Sequence, residues 1–249
     1  MSLLNALSRY RTARREAHIV RKLKRLRHEI SPGGYTLTSF DRHRCIFVHI
    51  PKCAGVSISR SLFGNLGAGH HPVATLQNVF GAGCFDSYFK FAFVRNPWDR
   101  LLSAYEFLQR GGFHAADARW ARQHLAPYRN FGEFVRGWVT PGHVAASVHF
   151  RPQTDFLCLP DGRSGVDFIG RYENLAVDFR KVCDRLGIQA ELKSLNTGPA
   201  RDYRAAYNRE TRRIVDRVYR QDIVSLDYCF DATGADDSEK QRKQDRAQD

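Results

Sequence analysis

The chain of 249 residues is 43% hydrophobic and 12% aromatic, which suits one folded α/β domain with a buried core and excludes disorder of the whole. No apolar run approaches the roughly 20 residues that cross a bilayer, and arginines interrupt the N-terminus where a secretory signal would be apolar, so the expected location is the cytoplasm. A net charge of +13 points to an anionic ligand, whether nucleotide, acidic glycan or nucleic acid, without choosing among them.

That charge is uneven. Residues 1–30 hold nine Lys/Arg against Glu16 and Glu29, and Ile19, Val20, Leu23, Leu26 and Ile30 recur between them at helical spacing. This basic amphipathic helix has three readings: docked on its own domain, lying peripherally on an anionic membrane, or packed on a second subunit. The oligomeric state is not legible. Ser31-Pro32-Gly33-Gly34 then breaks the chain. Residues 1–34 are therefore taken as helix and linker, 35–230 as the compact domain, and 231–249 as a polar, disordered tail.

A short apolar run over 45–50 reads as a buried strand, loop 51–57 follows, and a helix runs on to Phe63. A second buried strand over 88–94 ends at Arg95. There Asn96-Pro97 supplies an N-cap and a proline at the first helical position, and the helix runs until Gly111-Gly112. Residues 113–154 read poorly apart from a short helix over 131–138. Two further strands are expected over 156–159 and 166–172, around the turn Pro160-Asp161-Gly162. Helices over 175–186, closed by Gly187, and over 210–224 complete the set. Strands alternating with helices predict a three-layer α/β sandwich with a central parallel sheet, whose ligands bind beyond the carboxyl ends of the strands. The six cysteines include no C-x-x-C pair, so reduced thiols are expected and a zinc site is not.

Pro51-Lys52-Cys53-Ala54-Gly55-Val56-Ser57 sits at one such strand end. Ala54 and Gly55 let backbone N–H groups approach anionic oxygens, the helix N-terminus adds its positive end, Lys52 adds a full charge, and Ser57 a hydroxyl. The order is not that of the Walker loop, in which the lysine follows the last glycine. The plain alternative is a strand-to-helix turn with an exposed lysine. Arg95, at the second strand end, and Ser103, two turns into the next helix, offer a guanidinium fork and a hydroxyl suited to phosphate. The plain alternative there is an Arg95–Asp99 ion pair beside a merely small Ser103.

Together the two segments resemble those of the sulfotransferases that use 3′-phosphoadenosine 5′-phosphosulfate (PAPS), especially the carbohydrate sulfotransferases of the heparan 2-O and chondroitin/HNK-1 type. In that superfamily a P-K-[TC]-[AG]-[GS]-[TV]-S-like loop holds the 5′-phosphosulfate, and an R-x-P-…-R-…-S-x-Y segment holds the 3′-phosphate. The likeness continues through Phe168-Ile169-Gly170-Arg171-Tyr172-Glu173-Asn174, Leu195-Asn196 and 203–228, so it spans about residues 44–230. It implies a sulfotransferase fold of the P-loop NTPase-like kind, PAPS as sulfate donor, no metal, and a hydroxyl acceptor on a glycan or glycolipid. Donor binding carries over to Pro51, Lys52, Cys53, Ala54, Gly55, Val56 and Ser57, and to Arg95 and Ser103. Cys53 and Val56 stand where the family loop often has threonine. The backbone donors survive that change, and a nucleophilic Cys53 lacks a visible base.

Sulfuryl transfer needs in-line geometry and neutralisation of the departing phosphate, a task for Lys52. An acceptor hydroxyl needs a base near neutrality, and histidine fits. Related carbohydrate sulfotransferases place a base in about the region after the loop's helix, which favours His70 and His71, with His71 first; His149 is the alternative. Arg151 and Gln153 are expected to bind acceptor hydroxyls or a carboxylate beside His149, and Glu173 to orient Arg171 or another cation. A nucleotide-dependent kinase on a related fold would need a Walker lysine after the glycine, which is missing. A non-catalytic nucleic-acid binder would explain the basic helix but neither phosphate-type loop, so no specific nucleic-acid partner is expected.

Overall fold

A computed structural model describes residues 3–31, 33–193 and 202–231. Leu195-Asn196 and the tail from 232 onward lie outside these described residues. Three strands form as their continuous apolar runs predict: β1 (Cys45–Val48), β2 (Phe89–Val94) and β3 (Phe168–Arg171), all parallel in the order β1-β2-β3. Every β1 side chain and all but the first of β2 are buried, the pattern of a parallel sheet covered on both faces. Val48 pairs with Ala92, and Val94 with Arg171, which brings the carboxyl ends of the strands to one edge. The expected α/β architecture, a central parallel sheet flanked by helices, is what the chain forms.

Helices α1 (Leu3–Arg25) and α2 (Thr38–Arg42) precede the sheet, and α3 (Gly55–Phe63) and α4 (Val73–Ser87) connect β1 to β2. Helices α5 (Pro97–Gln109), α6 (Ala115–His124), α7 (Phe131–Trp138), α8 (Pro141–Ala146) and α9 (Thr154–Leu157) lie between β2 and β3, and α10 (Leu175–Leu186), α11 (Arg209–Val218) and α12 (Arg220–Ser225) follow. Asn96 accepts from the N–H groups of Trp98 and Asp99 with Pro97 first in the helix, so α5 starts where its cap predicts. Gly187 closes α10 at φ 64, the left-handed cap its sequence promised.

Elsewhere the expectations need correction. The segment 156–159 is not a strand. Its start is helical because the N–H groups of Gln153 and Thr154 donate to the Asp222 carboxylate at 2.7 and 2.9 Å. This cap comes from a residue 69 positions away, so no local pattern announces it. Near the end of the segment Cys158 makes one isolated antiparallel bridge, to Ser164. Helix α4 was not anticipated because Gly81 and Gly83 weaken its pattern, and Gly81 does kink it, at φ 72 and ψ 163. The helix over 210–224 is two helices, α11 and α12, which meet at the buried Tyr219.

The second half of α1 and the turn that follows it dock on the rest of the chain. Leu23 and Leu26 are buried, the Thr75 hydroxyl donates to Glu16 at 2.7 Å, and Arg27 pairs with Asp41 at 2.7 Å. Arg14, Arg15, Arg21, Lys22, Lys24 and Arg25 are exposed. Among the described residues no helix is long and apolar enough to cross a membrane.

Candidate functional site

The turn between β1 and α3 is wound unusually. Lys52 has φ 69 and Ala54 φ 60, a left-handed region that costs a non-glycine residue of order 1 kcal/mol or more. Such reversals of hand turn successive N–H groups into a concave cradle for anions. The first-turn N–H groups of α3, on Gly55, Val56 and Ser57, have no helical carbonyl to bond and add the positive end of the helix. Gly55 is required there: a Cβ on it would lie 1.8 Å from Cδ2 of the buried His49 ring. Lys52 Nζ rests 4.0 Å from the Phe107 ring centroid. Cys53 is buried, and burial pushes its thiol up to about 12, so it is a neutral thiol facing the Gln153 Oε1 at 3.4 Å.

Arg95, at the end of β2, closes over this turn. Its Nε donates to Asp99 Oδ2 at 2.7 Å, and Nη1 donates to the Lys52 carbonyl and to Ser103 Oγ, each at 3.2 Å. Its guanidinium also pairs with Asp99 through Nη2 and lies 3.9 Å from the Tyr172 ring centroid. The Arg95–Asp99 ion pair is therefore real, and so is the meeting of Arg95 with Ser103 and with the 51–57 loop. Three guanidinium hydrogens are placed by these hydrogen bonds and Nη2 stays against Asp99, which fixes the fork.

Three histidine rings line up beside Lys52. His70 Nδ1 lies 3.0 Å from the His49 carbonyl. A carbonyl only accepts, so Nδ1 carries the hydrogen and Nε2 keeps the lone pair. The His70 ring meets His49 at 4.3 Å and His149 at 6.1 Å between centroids. Burial pushes the His70 imidazole down to about 4, the His49 carbonyl opposing and the charges of His149, His71 and Lys52 adding to it. Burial lowers His149 as well, against the upward pull of Asp117, whose Oδ1 is 3.0 Å from His149 Nε2. Burial also lowers His71, and the charges acting on it are Glu16 and Lys22 of α1.

Two residues assigned to the acceptor by sequence do other work. Gln153 is fully buried; its Oε1 accepts from the Arg95 N–H at 2.9 Å and its Nε2 donates to the Arg95 carbonyl at 2.8 Å. It clamps the end of β2 against the Cys53 loop. Arg151 turns to the Ala145 carbonyl at 3.2 Å and toward the Phe156 ring. Glu173 does not orient Arg171. It accepts from the Asn96 N–H at 2.7 Å and the Tyr228 hydroxyl at 3.0 Å, bracing the turn after Arg95, while Arg171 donates to the Leu226 carbonyl.

Sequence reasoning passed over Arg100. It is buried at 1% exposure and donates to the carbonyls of His149, Phe150 and Arg151, so it sets the backbone from which His149 projects. Asp117 was also missed, and its only local signal is that of a helix-capping acid. A polar hollow lined by Arg44, Lys90, Asp167 and Arg185 opens at the opposite, amino ends of the strands, where Lys90 Nζ already donates to two carbonyls and pairs with Asp167.

A model of the sulfotransferase family matches residues 35–229. An uncharacterized protein of Archaeoglobus fulgidus is 31% identical over 134 residues, which are 53% of this chain and 97% of that protein. Carbohydrate sulfotransferase 14 of Mus musculus is 30% identical over 169 residues, 58% of this chain and 44% of the relative. The protein of the same name from Homo sapiens is 35% identical over 108 residues, 39% of this chain and 28% of the relative. The matched part thus spans less than half the length of these carbohydrate sulfotransferases.

Proposed function

This chain belongs to the sulfotransferase family, and from that premise we propose that it moves the sulfuryl group of PAPS to a carbohydrate hydroxyl, with His70 as the base. The observation that carries this reading is the junction of the left-handed Lys52–Ala54 turn with Arg95 and Ser103. One cradle of N–H groups and one guanidinium, held together, suit a nucleotide that is phosphorylated at two separated positions. Pro51 to Ser57 would hold the 5′-phosphosulfate, and Arg95 with Ser103 the 3′-phosphate. Lys52 lies where a cation can offset charge on the departing phosphate. His70 is preferred to His71 because the His49 carbonyl fixes its Nδ1–H and leaves Nε2 as an acceptor within a histidine cluster that Lys52 charges, whereas the charges acting on His71 are those of Glu16 and Lys22 on α1. The carbohydrate acceptor rests on the names of the relatives and on the basic surface, which suits an acidic glycan or glycolipid.

Nucleotide discrimination tests the donor assignment. We expect 3′-phosphoadenosine 5′-phosphate (PAP) to raise the melting temperature by mass action on the folded state, and AMP, lacking the 3′-phosphate, to raise it much less. In Arg95→Ala the two nucleotides should become nearly equivalent. Equal stabilisation of the unaltered protein by both would remove the 3′-phosphate role from Arg95 and Ser103.

A further inference from the structure

One carboxylate beside the site has a second task that its capping role does not need. Asp117 Oδ2 accepts from the backbone N–H groups of Phe113 and His114 at 3.0 and 3.2 Å, ordinary work at the start of α6. Its Oδ1 faces His149 Nε2 at 3.0 Å. An ionised carboxylate only accepts, so the His149 hydrogen sits on Nε2 and Nδ1 keeps a lone pair. That Nδ1 is buried and has no donor partner, a state that native structures seldom leave unmet. The ring is rigidly set: Arg100 holds the His149 carbonyl, and Phe107 flanks the imidazole at 5.2 Å. Gly112 lets the preceding turn pack directly on Asp117, since a Cβ there would come within 2.2 Å of Asp117 Cβ.

Two neutral imidazoles, His70 and His149, therefore stand 6.1 Å apart, each with an accepting nitrogen. Such a pair reads O–H donors. We propose that Asp117 is a positioning residue that fixes His149 with Nδ1 as a hydrogen-bond acceptor for a second hydroxyl of a polyhydroxylated acceptor, while His70 serves the hydroxyl being sulfated. This rests on the function proposed above and narrows its acceptor to sugars with a hydroxyl neighbouring the reacting one. His149 takes no proton; it only accepts a hydrogen bond. Phe107, the ring that flanks His149, also meets Phe113 at 5.2 Å, and Phe113 is 59% exposed, so this side of the imidazole adjoins the protein surface.

Asp117→Asn separates this from mere capping. The asparagine oxygen still accepts from Phe113 and His114, while its NH₂ group faces Nε2 and drives the hydrogen to Nδ1, turning His149 from acceptor to donor. The assay is sulfate transfer from PAPS to the methyl galactoside, glucoside and mannoside, and then to each monodeoxy form of the best acceptor. In the unaltered protein, removal of one hydroxyl beside the sulfated one should lower kcat/KM by about tenfold or more, because a site built to bond a hydroxyl is left unpaired. Asp117→Asn should treat the parent and that deoxy sugar within about twofold, and ¹⁵N shifts should move the His149 hydrogen from Nε2 to Nδ1. His149→Phe, which keeps the ring packing, should show the same loss of preference and serves if Asp117→Asn folds poorly. Indifference of the unaltered protein to every such deoxygenation, or a preference retained in both variants, overturns this inference alone. If the glycosides are not sulfated, the same deoxy comparison is made on the best acceptor from a panel of glycans and glycolipids; no transfer to any acceptor of either set overturns the parent reading with it.

Discussion

Lys52→Met is expected to lower kcat by about 10²–10³, the loss typical when one preorganised group is taken from a developing negative charge. Methionine keeps the apolar stem against Phe107, where Lys52 Nζ now rests 4.0 Å from the ring centroid, so the change removes charge and little packing. The backbone strain at φ 69 is also unchanged, and the N–H cradle that grips the nucleotide does not depend on the side chain. The deficit should therefore appear in kcat far more than in the melting shift produced by PAP. A kcat within a few-fold of the unaltered protein would mean that the leaving phosphate is neutralised elsewhere.

His70→Ala should cost about 10²–10⁴ in kcat, the range for loss of a positioned general base, and should leave PAP binding intact. His71→Ala should stay close to the unaltered rate because its surroundings are Glu16 and Lys22 on α1. The pH profile adds a signature. In the free enzyme burial holds His70 down to about 4, so the base is already neutral throughout the physiological range. The value of kcat/KM for the donor, which reports ionisations of the free enzyme, should hold level from neutrality down to about pH 5 and fall only as pH nears 4. The acid limb of kcat should lie higher, because a bound anionic nucleotide favours the imidazolium. A kcat/KM limb at the ordinary histidine value near 6.5 would shift the base away from His70.

What could be read in the sequence was local and repeated in more than one signal. A buried strand, a small-residue turn and a helix announced the 51–57 loop, and Asn96-Pro97 announced both the end of β2 and the start of α5. Those features fixed where Lys52, Arg95 and Ser103 would lie relative to the sheet edge. The acceptor side was less legible because its order is imposed from a distance. Asp222 caps the helix that a strand pattern had suggested. Gln153 looks like a polar ligand residue in a loop, yet both ends of its amide are held by the Arg95 backbone 58 residues away. The two adjacent histidines could not be ranked by composition. Only the fold directs His70 to the His49 carbonyl and sets His71 among the charges of Glu16 and Lys22. Arg100 fills the second arginine of the R-x-P-…-R-…-S-x-Y pattern and Asp117 reads as a helix-capping acid, but neither pattern tells their task, which lies in the three carbonyls and the one imidazole that they meet.

Sulfate transfer itself tests the central claim most directly. With radiolabelled PAPS and a panel of glycans and glycolipids, label should enter at least one acceptor with one PAP released per sulfate transferred, and Lys52→Met and His70→Ala should both suppress it. Label that remains in PAPS, or that is released only as free sulfate whatever glycan is supplied, would contradict the account.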